Sequence, residues 1–264
     1  EEWPEEIYLL ENLSHIELLP REGEAARKAS AALSSLGKVF VNDSFRQWDR
    51  QLLSGSGLDI PVRMAGITAG IELDLVDLFS APTGQPFCFC CSEQASLGEF
   101  SAVNSLAKRA QKVFFTQKFE DSLQGNESEM REVLSEKGCA NGYGNKKFIS
   151  ENDRFKSFYS KAVRDNCKNI LWVGPLSWST ESDSSVTTTE LRRLLIESGG
   201  ICYLLQKDAD VFGDSFEENP THNRIFGSLN PKVAIDLLCG TEVEAFSKLS
   251  LTEEFDPFNS RLLG

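Results

Sequence analysis

Few side chains in this chain of 264 residues have the type and spacing for chemistry of their own. The two histidines, His15 and His222, are little material for histidine-based nucleophilic or metal-assisted schemes. Cys88, Cys90 and Cys91 invite a metal reading. On a strand, however, Cys88 and Cys90 share one face and Cys91 takes the other, and neither His15 nor Cys139 completes a zinc spacing. No metal site is expected. Asp208 and Asp210 are spaced like ligands, but an acidic loop at a strand end is ordinarily solvated. The basic pairs Lys108-Arg109 and Arg192-Arg193 sit on helix faces, and no aromatic residues interleave with basic ones as in single-strand nucleic-acid modules. The most organised polar stretch is Gly37 to Arg50. There Val39, Phe40 and Val41 form a short apolar strand, followed by the turn Asn42-Asp43-Ser44-Phe45. A polar turn leaving the carboxyl end of a strand is where open α/β sheets place ligands, and Asn and Asp there bond nearby backbone and fix the exit path.

The elements that must position such residues alternate plainly. Arg21 to Leu36 carries an alanine–leucine stripe at helical spacing, and Gly37 ends it. The run Gly55 to Pro61 reads as a loop, and Ala69 to Phe79 as a helix with Ile71, Leu75, Leu78 and Phe79 at mixed spacing. From Pro86 onward we expect strand Phe87–Cys91, helix Glu99–Ala110 and strand Lys112–Thr116. Strand Ile170–Val173, helix Thr188–Glu197 with Gly199 and Gly200 capping, strand Ile201–Leu205 and helix Pro231–Leu238 come later, with an apolar piece around Val243–Phe246. Gly125 to Lys168 is polar and less regular. Strand–helix alternation of this kind implies α/β architecture, with a parallel sheet covered on both faces. Ile7 to Leu10 is a further strand candidate.

The run Val41-Asn42-Asp43-Ser44-Phe45, with Arg50 behind it, closely resembles the "VNDAF…HR" signature of phosphoglycerate kinase. Two more stretches resemble that family: "YLLENLSHIE", from Tyr8 to Glu17, its "LLLENLRFHIEE" segment, and "AGITAGIELDLVDLF", from Ala65 to Phe79, its long interdomain helix. The resemblance implies a Rossmann-like, two-lobed fold with an incomplete N-terminal lobe. Residues 1–80 would be the rear half of that lobe plus the interdomain helix, 81–250 a shortened nucleotide-type lobe, and 251–264 a tail returning to the first lobe. It implies Arg50 as a remnant of substrate binding. Ser14 stands where the family has an arginine for the acid substrate.

Transfer of a phosphoryl group between an acyl phosphate and a nucleotide depends on positioning and on concentrated positive charge and backbone N–H groups. It needs glycines at strand ends, where phosphate oxygens can approach several N–H groups at once. Compared with the family, "PFLAILGGAKV" has become PFCFCCSEQAS, with Ser92, Glu93 and Ala95 in place of two glycines and the lysine. "IIGGGMAFTFL" corresponds to a run in which Phe115, Thr116 and Gln117 replace three glycines. "ILWNGPVGVFE" is kept best, and Gly174 and Pro175 survive as nucleotide-site remnants, while Val173 replaces the asparagine and Thr180 falls near the ribose-binding glutamate. "GGGDTA" has become Gln206 to Val211, and "STGGGAS" has become Ser228 to Ala234. A charged hydrogen bond is worth about 1.5–3 kcal/mol, so losing three costs about 4–9 kcal/mol, on the order of three to six powers of ten. The expectation is a pseudoenzyme without catalytic residues or cofactor, kept as an interaction subunit of a larger assembly. Two readings stay open beside it: an active phosphoglycerate kinase using ATP or ADP and Mg, and a nucleotide or small-anion sensor using Arg50, Gly174 and Pro175.

Composition narrows the partners. With 27 basic and 40 acidic residues the chain carries a net charge of −13, which repels nucleic-acid backbones and anionic lipid. No apolar run approaches the roughly 18–20 residues of a membrane span, and protein partners are expected. Seven cysteines without a disulfide framework favour an intracellular, reducing compartment, with cytoplasm, mitochondrion and plastid not distinguished. On that basis the N-x-S triplets at Asn12, Asn42 and Asn126 are read as coincidence. No signal or transit peptide is visible, and Glu1 as first residue fits a native start lying upstream.

Overall fold

The computed structural model describes residues 9–19, 22–80, 85–92, 100–122, 132–133, 136–137, 150–176, 186–206 and 224–250. They form two compact units, one running to Gly70 and resuming at Glu242, the other from Ile71 to Thr241. The division falls inside a continuous helix, α3 (Ile67–Leu78), whereas the sequence division at residue 80 lies beyond its end. The tail 251–264 and the start of the Ile7–Leu10 strand candidate lie outside the described residues, and Leu9 and Leu10 are not in a strand.

In the first unit, α1 (Ser14–Glu17), α2 (Glu24–Ser34) and α9 (Glu244–Ser247) accompany a two-stranded parallel sheet, β1 (Val39–Asn42) with β2 (Val62–Ala65). The sequence did not reveal β2, because Val62-Arg63-Met64-Ala65 has no apolar alternation. Its pairing is tertiary: Phe40 lies opposite Arg63, whose guanidinium carbon sits 5.8 Å from the Phe40 ring centre. On the far side of β2 the Arg63 amide donates to the Ser250 hydroxyl and the Ser250 amide to the Arg63 carbonyl, both at 2.8 Å.

The turn after β1 is the link to α3. Asn42 Oδ1 accepts from the Ser44 amide at 3.2 Å, an Asx turn of the kind anticipated. Asp43 acts at longer range than the sequence suggests. Its carboxylate takes the Ala69 amide at 2.9 Å and the Thr68 hydroxyl at 3.0 Å, so it satisfies and charges the first turn of α3 from another part of the chain. This requires close approach. A Cβ on Gly66 would lie 2.3 Å from the Asp43 Cβ, which only glycine avoids. Phe45 and Trp48, in the short 3-10 turn that follows, are buried with ring centres 5.0 Å apart.

The second unit holds a five-stranded parallel sheet in the order β4-β3-β5-β6-β7. The strands are β3 (Phe87–Cys91), β4 (Lys112–Phe115), β5 (Asn169–Val173), β6 (Cys202–Leu205) and β7 (Ile225–Gly227). Every residue of β3, β5 and β6 is buried, as their unbroken apolar runs require of a sheet covered on both faces. The helices are α4 (Phe100–Arg109), α5 (Gln117–Ser122), α6 (Glu151–Arg164), α7 (Thr188–Ser198) and α8 (Pro231–Leu238). Helix α6 corrects the reading of Gly125–Lys168 as irregular. Ser150 caps it by accepting from the Asp153 amide, and Phe155, Phe158, Tyr159 and Ala162 form one buried stripe. The polar residues between hid that stripe. Trp172, weighed as core or ligand contact, is core: it is fully buried and packs edge-on to Phe155 with ring centres 5.4 Å apart.

Asp43→Ala removes a cap and is expected to cost about 1–2 kcal/mol. Gly66→Ala displaces the same carboxylate and should cost at least as much. Urea unfolding checks both, with a lower midpoint and an unchanged slope as the expected result.

Candidate functional site

In a parallel sheet of this order the chain turns left from β3 to β4 and right from β3 to β5, so the topological switch point lies between β3 and β5. Open α/β sheets bind ligands in that crevice, beyond the carboxyl ends of the strands. At that position the described strand ends bond to one another. Ser92, one residue past β3, donates its amide to the Val173 carbonyl at 2.9 Å and its hydroxyl to the Pro175 carbonyl at 2.8 Å. Thr116, one residue past β4, donates its amide to the Cys91 carbonyl at 3.1 Å and its hydroxyl to the Ser92 carbonyl at 3.0 Å. The same hydroxyl accepts from the Phe119 amide at 3.3 Å, inside the first turn of α5. Ser92 and Thr116 are both buried.

Gly174 and Pro175 are brought to this switch point, but their groups are spent. The Gly174 amide donates to the Leu205 carbonyl at 3.0 Å, continuing the β5–β6 ladder. Its φ of 90° explains why glycine is kept: the strand exit turns through a region that side chains disfavour. Pro175 has no N–H, and the Leu176 amide reaches Gln206 Oε1 at 3.4 Å. Gln206, the residue after β6, is buried. The positions Glu93, Ala95, Thr180, Asp208 and Asp210 lie outside the described residues, as do Cys139 and His222.

At the last strand tip, sequence reasoning missed the principal residue. Glu72 on α3 is only 4% exposed, and its carboxylate accepts from the Tyr203 hydroxyl, the Ser228 hydroxyl at 3.1 Å and the Leu229 amide. Of the expected stripe, Leu75 and Phe79 are buried and Leu78 is half-buried, while Ile71 is 45% exposed; Ala69, Glu72, Leu73 and Val76 are buried with them. A glutamate at one of the i, i+3, i+4 positions of that face was the available signal. Asn230 then caps α8 by accepting from the Val233 amide at 3.2 Å, with Pro231 as first helical residue. Burial lifts the Glu72 carboxyl above its ordinary value, opposed by the hydrogen bonds from Tyr203, Leu229 and Ser228 that favour the charged form.

In the other unit the turn residues gather around a small pocket. Asn42, Asp43, Trp48, Arg50 and Ser56 line a hollow of about 200 Å³. Arg50 is exposed and its guanidinium has no partner among the described residues. The Trp48 Nε1 and the Ser56 hydroxyl are buried and unpaired. Next to it Glu17 repeats the device of Glu72: its carboxylate takes the Leu53 amide at 2.7 Å, and the Ser54 amide and hydroxyl at 2.9 and 2.5 Å. Ser14 opens α1 and donates its amide to Asn12 Oδ1 at 3.0 Å, and His15 is exposed on the same short helix. Among the described residues no three His, Cys, Asp or Glu side chains converge as a metal site would require, and no helix is long and apolar enough to cross a membrane.

No protein-family model and no curated protein matches the sequence. Solved structures do resemble the fold. Phosphoglycerate kinase from Coxiella burnetii superposes with a TM-score of 0.60 at 12% identity, over 85% of this chain and 67% of that one. Phosphoglycerate kinase from Pyrococcus horikoshii OT3 does so with a TM-score of 0.57 at 13% identity, over 90% of this chain and 68% of that one. The chain therefore has a phosphoglycerate kinase-like α/β fold with parallel sheets.

The folded state holds the Glu72 proton more tightly than the unfolded chain does. Its contribution to stability is therefore greatest below its unfolded value and is lost as pH rises through the raised folded value. Relative to wild type, Glu72→Gln is expected to gain in thermal midpoint on going from about pH 5 to about pH 8. Glu72→Ala strands the Tyr203, Ser228 and Leu229 donors and should cost about 1–3 kcal/mol at both. Calorimetric scans of the three proteins check the sign.

Proposed function

We propose that this chain is a divergent phosphoglycerate kinase homologue that has lost phosphoryl transfer and serves as an interaction subunit of a larger, intracellular assembly. The observation that carries the reading is the use of the strand-tip donors. A nucleotide site of this type needs free N–H groups beyond the sheet. The amides of Ser92, Gly174, Thr116 and Leu229 are instead bonded to the chain's own carbonyls and to a carboxylate. An anion reaching these described amides would have to displace each internal partner. A polyphosphate brought to Leu229 would also have to displace the Glu72 carboxyl group from that amide.

A second reading has one observation in its favour. The unpaired Arg50 guanidinium beside a hollow of about 200 Å³ suits a small anion better than a nucleotide, so a sensor using that site alone is the alternative.

Isothermal calorimetry with ADP and ATP in the presence of Mg tests the first reading. Heats indistinguishable from dilution up to millimolar nucleotide are expected, together with no turnover in a coupled ATP-forming assay. Tighter binding or turnover refutes it. Ser92→Gly is expected to leave both results unchanged, because one restored glycine does not release the remaining amides. Gentle purification from source followed by sizing should place the chain in a complex; an isolated monomer would count against the subunit role.

A further inference from the structure

We infer that Cys88 and Cys167 form an oxidant-responsive thiol pair, which hydrogen peroxide converts into a disulfide that clamps the α6–β5 connection onto β3. Their sulfurs lie 3.3 Å apart in the core of the second unit, where both residues are fully buried. A disulfide of about 2.05 Å therefore needs an approach of little more than an ångström, small beside the freedom of two χ1 angles.

Two separate local rules bring the pair together. Cys88 is the second residue of β3 and shares its core with Phe155, Phe158 and Tyr159 of α6. Cys167 sits just past the end of that helix. Its amide donates to the Ala162 carbonyl at 2.9 Å and the Asn166 amide to the Val163 carbonyl at 3.0 Å, with Asn166 at a φ of 58°. This is a Schellman closure, which turns the residue after the left-handed one back toward the helix and into the core. The residues around it, Asp165, Asn166 and Lys168, are all exposed, so the Cys167 sulfur lies beneath a single surface turn.

The other described cysteines are worse placed. Cys202 lies opposite Ile170, which lies opposite Cys88. Two strand spacings separate Cys202 from Cys88, about 10 Å, beyond the roughly 7 Å that a disulfide spans between Cα atoms. Cys90 lies opposite Trp172, further up the strand from the Cys167 turn, and Cys91 alternates to the other face. Cys239 ends α8.

The pair also has the electronic order that the reaction needs. The Cys88 thiol contacts the Cys167 carbonyl at 3.5 Å as well as its sulfur. Its hydrogen bond, aided by the Lys112 ammonium, holds the Cys167 thiol below its ordinary value against the effect of burial. Cys167 is thus the attacking thiolate. It takes one oxygen of the peroxide as a sulfenic acid while the O–O bond breaks, and the departing hydroxide becomes water with one thiol proton. The Cys88 sulfur then attacks the sulfenic sulfur; the S–S bond forms, the S–O bond breaks, and the second hydroxide leaves as water with the other thiol proton. Peroxide is reduced by two electrons and the two thiols are oxidised by two. In an intracellular protein such a bridge is a transient, reversible response to oxidant. The inference depends neither on nucleotide binding nor on the subunit role.

The test treats the reduced full chain with hydrogen peroxide. Thiols counted in denaturant should fall by two from seven. A non-reduced digest should contain the Cys88 peptide linked to the Cys167 peptide. The thermal midpoint of the second unit should rise by about 5–10 °C, since the bridge closes a long loop in the unfolded chain. Dithiothreitol should reverse all three changes. Cys88→Ala and Cys167→Ala should each abolish the link and the rise, and Cys202→Ala should keep both. The wild-type digest decides the pairing even where a variant fails to fold. Absence of the linked peptide, a bridge through any other cysteine, or a midpoint that stays or falls on oxidation overturns the inference. So does a change that persists in dithiothreitol, which marks oxidation of a single sulfur beyond sulfenic acid.

Discussion

A backbone N–H at the end of a buried parallel strand has to find an acceptor, because leaving it dry and unpaired costs about 1–3 kcal/mol. In a phosphate-binding sheet the acceptor arrives with the ligand, and until then water serves. This chain meets the demand from within. Serine and threonine hydroxyls at positions 92 and 116 tie neighbouring tips together, and Glu72 accepts three hydrogen bonds at the end of β7. Once the donors are spent the sheet no longer depends on a ligand for satisfaction. Gly174 serves the turn out of β5 with its φ of 90°.

The same constraint accounts for much of what the sequence revealed and what it hid. Strands β3, β5 and β6 were legible because full burial on both faces leaves an unbroken apolar run, and α8 because Pro231 and Asn230 mark its start. β2 was not legible, since its pairing depends on Phe40 beside Arg63 and on Ser250 from far along the chain. β7 is three residues long and carries no periodicity to read. Helix α6 was lost to a local average in which charged residues outnumber the four that face inward.

The candidate sites divide in the same way. That the strand ends at Ser92, Thr116 and Ser228 carry no run of glycines could be read directly from residue types. What the replacements do instead could not, because each bonds to a residue remote in sequence: Ser92 to Pro175, Ser228 to Glu72. Asp43 is the same case, a turn residue whose carboxylate serves a helix start more than twenty positions away. Glu72 was the hardest to place. A carboxylate is ordinarily assigned to solvent, and only the position of Glu72 on the inward stripe of α3 could have argued otherwise.

Glu17 and Glu72 together show why this solution suits an acidic chain. A phosphate is multiply charged and needs cations around it, whereas a single carboxylate such as Glu72 can be buried when three donors converge on it. Each such carboxylate satisfies backbone donors without needing local positive charge where it sits. Arg50 is the opposite case, a guanidinium without a partner among the described residues. It lines the same pocket as Trp48 and Ser56, whose Nε1 and hydroxyl are buried without a hydrogen-bond partner among the described residues.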